Sequence, residues 1–345
     1  MLQRPKTVLA RPAGKEEASA FDAFVRASPF AAYQQTRAFA DCAPRKARHA
    51  YLTFICEAEG EIVGTAVVRL TRLAPGAALA TIQRGPVVAD PALLGPVVEA
   101  LKDALRRSGC CTLVLGPRFA GEARDEAAEA LAGIGFRALP KASQALHTVT
   151  GKIALDAPAE AILAGFKQRG RRAIRRVAES GVSVRDATPD DLQACRDLIE
   201  TFHARRPGYD SSGQLGVDAQ ARLIEAEGGG MLVAEAEGRI VGWHSFVRQG
   251  RDAIWLAMAT DDDPKAPRSY LLLWEAVRRA RALGLSAFDL AGLSGGDASG
   301  RDQFKQAFAP VREELLPAHV APLRPIRHAL FFGARQLYRA RRGRG

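Results

Sequence analysis

Glu57-Ala58-Glu59-Gly60-Glu61-Ile62-Val63-Gly64 returns as Glu235-Ala236-Glu237-Gly238-Arg239-Ile240-Val241-Gly242, 178 residues later and with seven of eight positions identical. A β-prone run precedes each copy, Thr53-Phe54-Ile55-Cys56 and Met231-Leu232-Val233-Ala234. Another follows each, Thr65 to Leu70 and Trp243 to Val247. An acid–glycine pair between two such runs predicts a strand, a tight turn and an antiparallel strand.

The repeat extends beyond the turn. Glu99 to Leu115 (EALKDALRRSGCCTLVL) and Glu275 to Leu290 (EAVRRARALGLSAFDL) each read as a helix stopped by glycine and followed by a strand. Each half therefore carries a hairpin, a further strand, a helix and a strand in the same order. That order resembles the core of the GNAT acyltransferase fold, in which the third strand and the next helix flank a V-shaped opening for the acyl donor. The expected class is α/β (α+β): two tandem GNAT-like mixed-sheet domains related by duplication. Boundaries are expected at 1–148 and 149–323, with a basic helix or tail over 324–345. Within the second domain one helix is predicted from about Ala159 to Ser180, after the start signal Asp156-Ala157-Pro158.

Composition fits two globular domains. The chain has 345 residues, 47% hydrophobic and 25% charged, which excludes a wholly disordered polymer. Lys and Arg number 49 against 38 acids, a net charge of +11, and this favours an anionic partner. Cys42, Cys56, Cys110, Cys111 and Cys195 show no CxxC pair and no zinc spacing, so reduced thiols and no metal are expected. The N-terminal stretch has no apolar core of a secretory signal, and no run of 18 apolar residues occurs. The expected location is cytoplasmic, with a peripheral position at the inner membrane face as the alternative.

A GNAT enzyme using coenzyme A needs a Gly-rich loop between the third strand and the helix, where backbone N–H groups meet the pyrophosphate. The first slot holds Gln83-Arg84-Gly85-Pro86-Val87, and the second holds Asp261-Asp262-Asp263-Pro264-Lys265-Ala266-Pro267-Arg268. Prolines remove donors there, and three aspartates repel phosphate. Arg118-Phe119-Ala120-Gly121-Glu122-Ala123 fits the pattern, but one strand too late.

Phe288-Asp289-Leu290-Ala291-Gly292-Leu293, with Phe304-Lys305-Gln306-Ala307-Phe308, is similar to the Asp-x-x-Gly-[Ile/Leu] and Phe-Lys-x-x-Phe pair of the Fem family. Tyr270 to Ala276, Arg84-Gly85-Pro86-Val87 and the basic run Arg171-Arg172-Ala173-Ile174-Arg175-Arg176 also resemble that family, over about Phe30 to Val311. Only ~25 residues separate Arg206 from Met231, so the coiled-coil arm of some members is not expected. The resemblance implies transfer of an amino acid from aminoacyl-tRNA, as co-substrate, to an amine of a peptidoglycan precursor or similar acceptor. It implies no bound cofactor, and the enzyme is expected to act as a monomer.

Such aminolysis needs the ester and amine held together and a steadied oxyanion. No Ser/His/Asp or Cys/His set recurs at a recognisable spacing, so direct transfer is expected. The resemblance makes Lys305 the candidate for a fixed positive charge near the ester or the tRNA end; on sequence alone an exposed surface lysine is the favoured reading. Asp289 either orients an amine or caps a turn. His244 either lines the cleft or sits in the core. Phe304, Tyr270, Arg268 and Arg84 complete the candidate substrate-binding set. Arg171, Arg172, Arg175 and Arg176 are candidates for tRNA phosphate, or a solvated face. From Arg324 on there are seven arginines and no acid. There Ile326, Ala329, Leu330, Ala334, Leu337 and Tyr338 form an apolar stripe, for docking on the core, for tRNA or for an anionic membrane. Two other readings remain: a CoA-dependent N-acyltransferase with a reworked loop, and an RNA-binding protein on an inactive GNAT scaffold.

Overall fold

The computed structural model describes residues 7–44, 47–205, 214–261, 263, 266–293 and 300–330. The first half runs β1 (Leu9–Pro12), α1 (Ala18–Ala27), α2 (Arg37–Cys42), β2 (His49–Ala58), β3 (Glu61–Ala74), β4 (Ala77–Arg84), β5 (Val87–Val88), α3 (Leu94–Arg107), β6 (Cys110–Pro117), α4 (Gly121–Gly133) and β7 (Arg137–Ala138). The second half runs β8 (Val149–Ala154), α5 (Ala159–Gly165), α6 (Gln168–Glu179), β9 (Ser183–Asp186), α7 (Leu192–Ala204), α8 (Val217–Glu227), β10 (Gly229–Ala236), β11 (Arg239–Gln249), β12 (Asp252–Thr260), α9 (Arg268–Ala282), β13 (Ala287–Gly292), α10 (Gly300–Gln306), β14 (Val311–Glu314) and β15 (His319–Pro322). Two units result. Among the described residues, unit 1 holds 7–40, 47–148 and 315–330, and unit 2 holds 41–44 and 149–314.

The two repeats make the same hairpin. In β2–β3, Ala58 pairs with Glu61 around Glu59 (φ 53°) and Gly60 (φ 84°). In β10–β11, Ala236 pairs with Arg239 around Glu237 (φ 51°) and Gly238 (φ 71°). Two central residues at positive φ match the twist of the flanking strands. A register shift follows at the same place in each, Cys56/Glu57 and Ala234/Glu235. Each hairpin is extended by one more antiparallel strand, crossed by one helix and closed by one parallel strand: β4, α3, β6 and β12, α9, β13. The fold is two tandem GNAT-like units. Val97, Leu101 and Leu105 recur at helical spacing on α3 and bury against Phe54, Val68, Ile82 and Leu113. Leu272, Ala276 and Ala280 of α9 do the same against Leu232, Phe246 and Phe288.

The parallel pairs differ. β4 and β6 stay paired from Ala78↔Cys110 to Arg84↔Pro117. β12 and β13 pair only at Asp252↔Ala287, Ala253↔Phe288 and Ile254↔Asp289, and then part. The sheet of unit 2 therefore forks after Ile254 and Asp289, and that of unit 1 does not.

Two sequence expectations change. Residues 315–323, assigned on sequence to the second domain, belong to unit 1: β15 pairs antiparallel with β6, His319↔Leu115 through Pro322↔Thr112. β8 fills the matching place beside β13. The exposed edge of each parallel strand is thus covered by sequence-distant pairing, which no local pattern announces. The single helix expected over 159–180 is two, α5 and α6, because Phe166 turns into the core at extended ψ (152°) and the Lys167 N–H donates to Ala307 O (2.9 Å).

Residues 325–330 are helical. Ile326 and Leu330 stand 80% and 67% exposed, so this part of the apolar stripe is not docked on the core. Polar contacts attach it instead, His328 Nδ1 to Thr112 Oγ1 (2.9 Å) and Arg327 Nη1 to Gly76 O (2.5 Å). Ala334, Leu337 and Tyr338 lie outside the described residues.

Candidate active site

The fork in unit 2 is built around Asp289, the last residue of β13 that pairs with β12. Its Oδ1 accepts from Ala291 N (2.8 Å) and from the Thr150 hydroxyl of β8. Ala291 stands at φ +57°, a conformation that costs a residue with a Cβ, and the Asp289 carboxylate satisfies its N–H there. The β13–β8 register breaks across these residues. At 1% exposure Asp289 holds the turn and meets no solvent.

The turn aims the Gly292 carbonyl at Lys305, whose Nζ donates to it at 2.7 Å. α10 places Lys305 by packing Phe304 and Phe308 on Tyr270, with ring centroids 4.8 and 5.8 Å away. Phe308 also meets Phe166 at 5.0 Å. The Lys305 ammonium sits 4.9 Å from the Trp255 ring centroid, a cation–π contact. It is 4% exposed, so the surface-lysine alternative falls. Burial, helped by the Arg301 charge, brings its pKa down to about 8 against the opposing pull of Asp289 and Asp302. At neutral pH it remains mostly a cation in a poorly solvated place.

His244 of β11 is fully buried, with its ring 5.2 Å from Trp255 and 6.0 Å from Phe288. Among the described residues neither ring nitrogen has a hydrogen-bond partner, and burial pushes its pKa down to about 3. It is a neutral imidazole beside the same tryptophan that faces Lys305.

Five sequence-predicted residues, Lys305, Asp289, Phe304, Tyr270 and His244, thus meet in one cluster. Others stand apart. Arg268 is buried in ion pairs with Asp261 (3.1 Å) and Asp263 (2.8 Å) and also donates to Ala266 O, so it holds the loop before α9. Arg84 belongs to unit 1, where it donates to His147 O at 2.5 Å. Arg171 donates to Ala164 O (3.0 Å) and Phe166 O, closing the end of α5. Arg172, Arg175 and Arg176 are exposed. α6 itself is docked on the Lys305 element: a Cβ on Gly170 would come within 2.7 Å of Ala307 O, and Arg169 donates to Gln303 O. Trp255 and Thr150 were not singled out by sequence. Trp255 gave only the weak signal of an aromatic in the strand before the loop, and Thr150 gave none.

Known proteins agree with this architecture. The FemAB family matches residues 17–212, and the acetyltransferase (GNAT) domain matches residues 164–306. No curated protein matches the chain in sequence. The crystal structure of FemX is similar at a TM-score of 0.80 and 14% identity, covering 93% of this chain and 99% of that one. L-PGS from Bacillus licheniformis gives 0.56 and 12% over 91% and 93%. A tandem GNAT protein from the clavulanic acid biosynthesis pathway gives 0.50 and 14% over 92% and 98%. Likeness at such identity speaks for the fold, whereas the family match spans more than half of the sequence. The chain belongs to the FemAB family and is an acyltransferase.

Proposed function

We propose that the protein transfers an amino acid from aminoacyl-tRNA to an amine of a peptidoglycan precursor or similar acceptor, by direct aminolysis and without a bound cofactor. The observation that carries this reading is the buried ammonium of Lys305 beside the fork of unit 2. In the GNAT fold that opening takes the acyl donor. A positive charge held there by Gly292 O and Trp255 supplies, with little reorganisation, what an oxyanion at the ester carbonyl needs. Lys305 is thus the catalytic residue of the proposal. Phe304, Tyr270 and Trp255 exclude water, and Asp289 positions the Gly292 turn. The exposed Arg172, Arg175 and Arg176 lie on the helix docked against the Lys305 element, and they suit tRNA phosphates.

A CoA-dependent acyl transfer is the second reading, favoured by the GNAT-domain match over 164–306. Against it, the segment before α9 ends in Pro267, and Asp261 and Asp263 are taken up by Arg268. A cytoplasmic location, with the inner membrane face as the alternative, goes with this reading. Among the described residues no helix is long and apolar enough to cross a membrane. The test is a donor screen on purified protein, with charged tRNA pools against acetyl-CoA and longer acyl-CoAs and with a peptidoglycan precursor as acceptor. Aminoacyl transfer from tRNA with no acyl-CoA turnover is expected. Turnover of an acyl-CoA alone reverses the reading.

A further inference from the structure

Three segments of unit 1 meet at one end of its sheet: the β3–β4 turn, the C-terminus of α3 and the helical stretch 325–330. Arginine contacts to backbone carbonyls tie them together. Arg327 Nη1 donates to Gly76 O (2.5 Å), Arg324 Nη2 to Arg106 O (2.9 Å) and Arg106 Nε to Leu323 O (3.1 Å). A Cβ on Gly109, in the turn after α3, would meet Gly76 O at 3.8 Å, so that turn lies against the hairpin.

Large aliphatic side chains stand in water here. Ile326 and Leu330, four positions apart on a helix, share one face, and Leu73 on the β3–β4 hairpin is exposed too. A single exposed leucine needs no explanation, but three such side chains at one end, on segments joined by polar contacts, form a patch. Basic groups surround them. Arg72, Arg107 and Arg327 are exposed and form no ion pair among the described residues. Acids are missing: 69–79, 104–112 and 319–330 contain none, and Asp103, earlier on α3, is taken by Arg106 (2.9 Å). The same sign continues in the sequence from Arg324, with seven arginines and no acid.

This mixture discriminates between anionic partners. The phosphates of an RNA would take the arginines but gain nothing from exposed isoleucine and leucine. The segments 69–79, 104–112 and 319–330 carry no Phe, Tyr or Trp on which a base could stack. A bilayer interface uses both kinds of group: aliphatic side chains enter below the headgroups, and guanidinium groups meet lipid phosphate. We propose that this end of unit 1 docks on the surface of an anionic lipid bilayer, through Ile326, Leu330 and Leu73 together with Arg72, Arg107 and Arg327. The proposal deepens the membrane-face alternative of the proposed function and is independent of the acyl donor.

The test is cosedimentation of the full chain with vesicles of phosphatidylcholine and phosphatidylglycerol, against vesicles of phosphatidylcholine alone. Binding to the anionic vesicles is expected, weakening as salt rises, with the neutral vesicles left unbound. Ile326→Ser with Leu330→Ser keeps every charge and should weaken binding about tenfold at an unchanged melting temperature. Arg72→Gln with Arg107→Gln should weaken it about tenfold or more. Arg172→Gln with Arg176→Gln, on α6 of unit 2, should leave it unchanged. Vesicle binding needs no substrate, so an enzyme that failed the donor screen would leave this result standing. No binding to anionic vesicles, equal binding to neutral ones, wild-type binding by the serine or the Arg72/Arg107 pair, or an equal loss in the α6 pair would overturn the proposal. So would a serine pair that loses affinity for tRNA and not for vesicles, the mark of an RNA surface.

Discussion

Lys305 and Gly292 are joined by a 2.7 Å hydrogen bond from the ammonium to the backbone carbonyl. The carbonyl is held there by a turn whose left-handed residue, Ala291, is supported by the Asp289 carboxylate. The bond therefore fixes a strongly desolvated lysine at the place where β12 and β13 part.

Lys305→Met should lower aminoacyl transfer by roughly 10²–10³, the usual cost of one oxyanion contact. Stability should not suffer, because an ammonium taken out of water is replaced by an apolar chain. The linkage has a definite sign. With the folded pKa near 8 and the free value at 10.5, the unfolded chain holds the extra proton between those values. Wild-type stability relative to Lys305→Met should thus rise from pH 8 to 10.5. Urea midpoints across that range check this, and kcat/KM should fall above about pH 8 if the cation is the working form. Wild-type transfer by Lys305→Met would remove Lys305 from the chemistry.

Asp289→Asn keeps an oxygen for Ala291 N and Thr150 but removes a charge that raises the Lys305 pKa. The expected result is a descending pH limb moved to lower pH, with the rate below it changed only a few-fold. A large loss at all pH values with an unmoved limb would mean that Asp289 contacts substrate directly.

His244 is neutral in the fold down to about pH 3 and titrates near 6.5 when unfolded. Its depressed pKa costs stability as pH falls from about 6.5 toward 3, where the unfolded chain takes up the proton first. His244→Phe should flatten that loss and leave stability at pH 7 equal or higher, since two unpartnered nitrogens go. Chemical denaturation at pH 4.5 and 7 measures it; an unchanged pH dependence would show that the ring has a partner.

Arg172→Gln with Arg176→Gln should weaken tRNA binding and flatten the slope of log K against log salt by about one to two, at unchanged melting temperature. Arg171→Gln should behave oppositely, costing about 1 kcal/mol of stability through the α5 carbonyls with little change in salt slope. Filter binding at several salt concentrations separates the two; equal slopes in all three proteins would leave α6 a solvated face.

Much of this molecule was legible in its sequence, because the deciding features are local. The acid–glycine turns Glu59-Gly60 and Glu237-Gly238 demand positive φ wherever they occur, and the alternating runs around them leave one hairpin solution. Helical spacing on 94–107 and 268–282 reports the buried faces of α3 and α9 directly. Phe304-Lys305-Gln306-Ala307-Phe308 likewise placed its lysine between two core aromatics. What the tertiary structure alone decided is non-local. Whether a parallel pair stays closed, as β4 and β6 do, or forks, as β12 and β13 do, depends on register across strands separated by a helix. The return of β15 to unit 1 and the support of Asp289 by Thr150 join residues far apart in sequence. Burial then set the chemistry. A lysine carries the same side chain on a surface as beneath Trp255, and only desolvation by the folded chain moves its proton affinity toward neutrality.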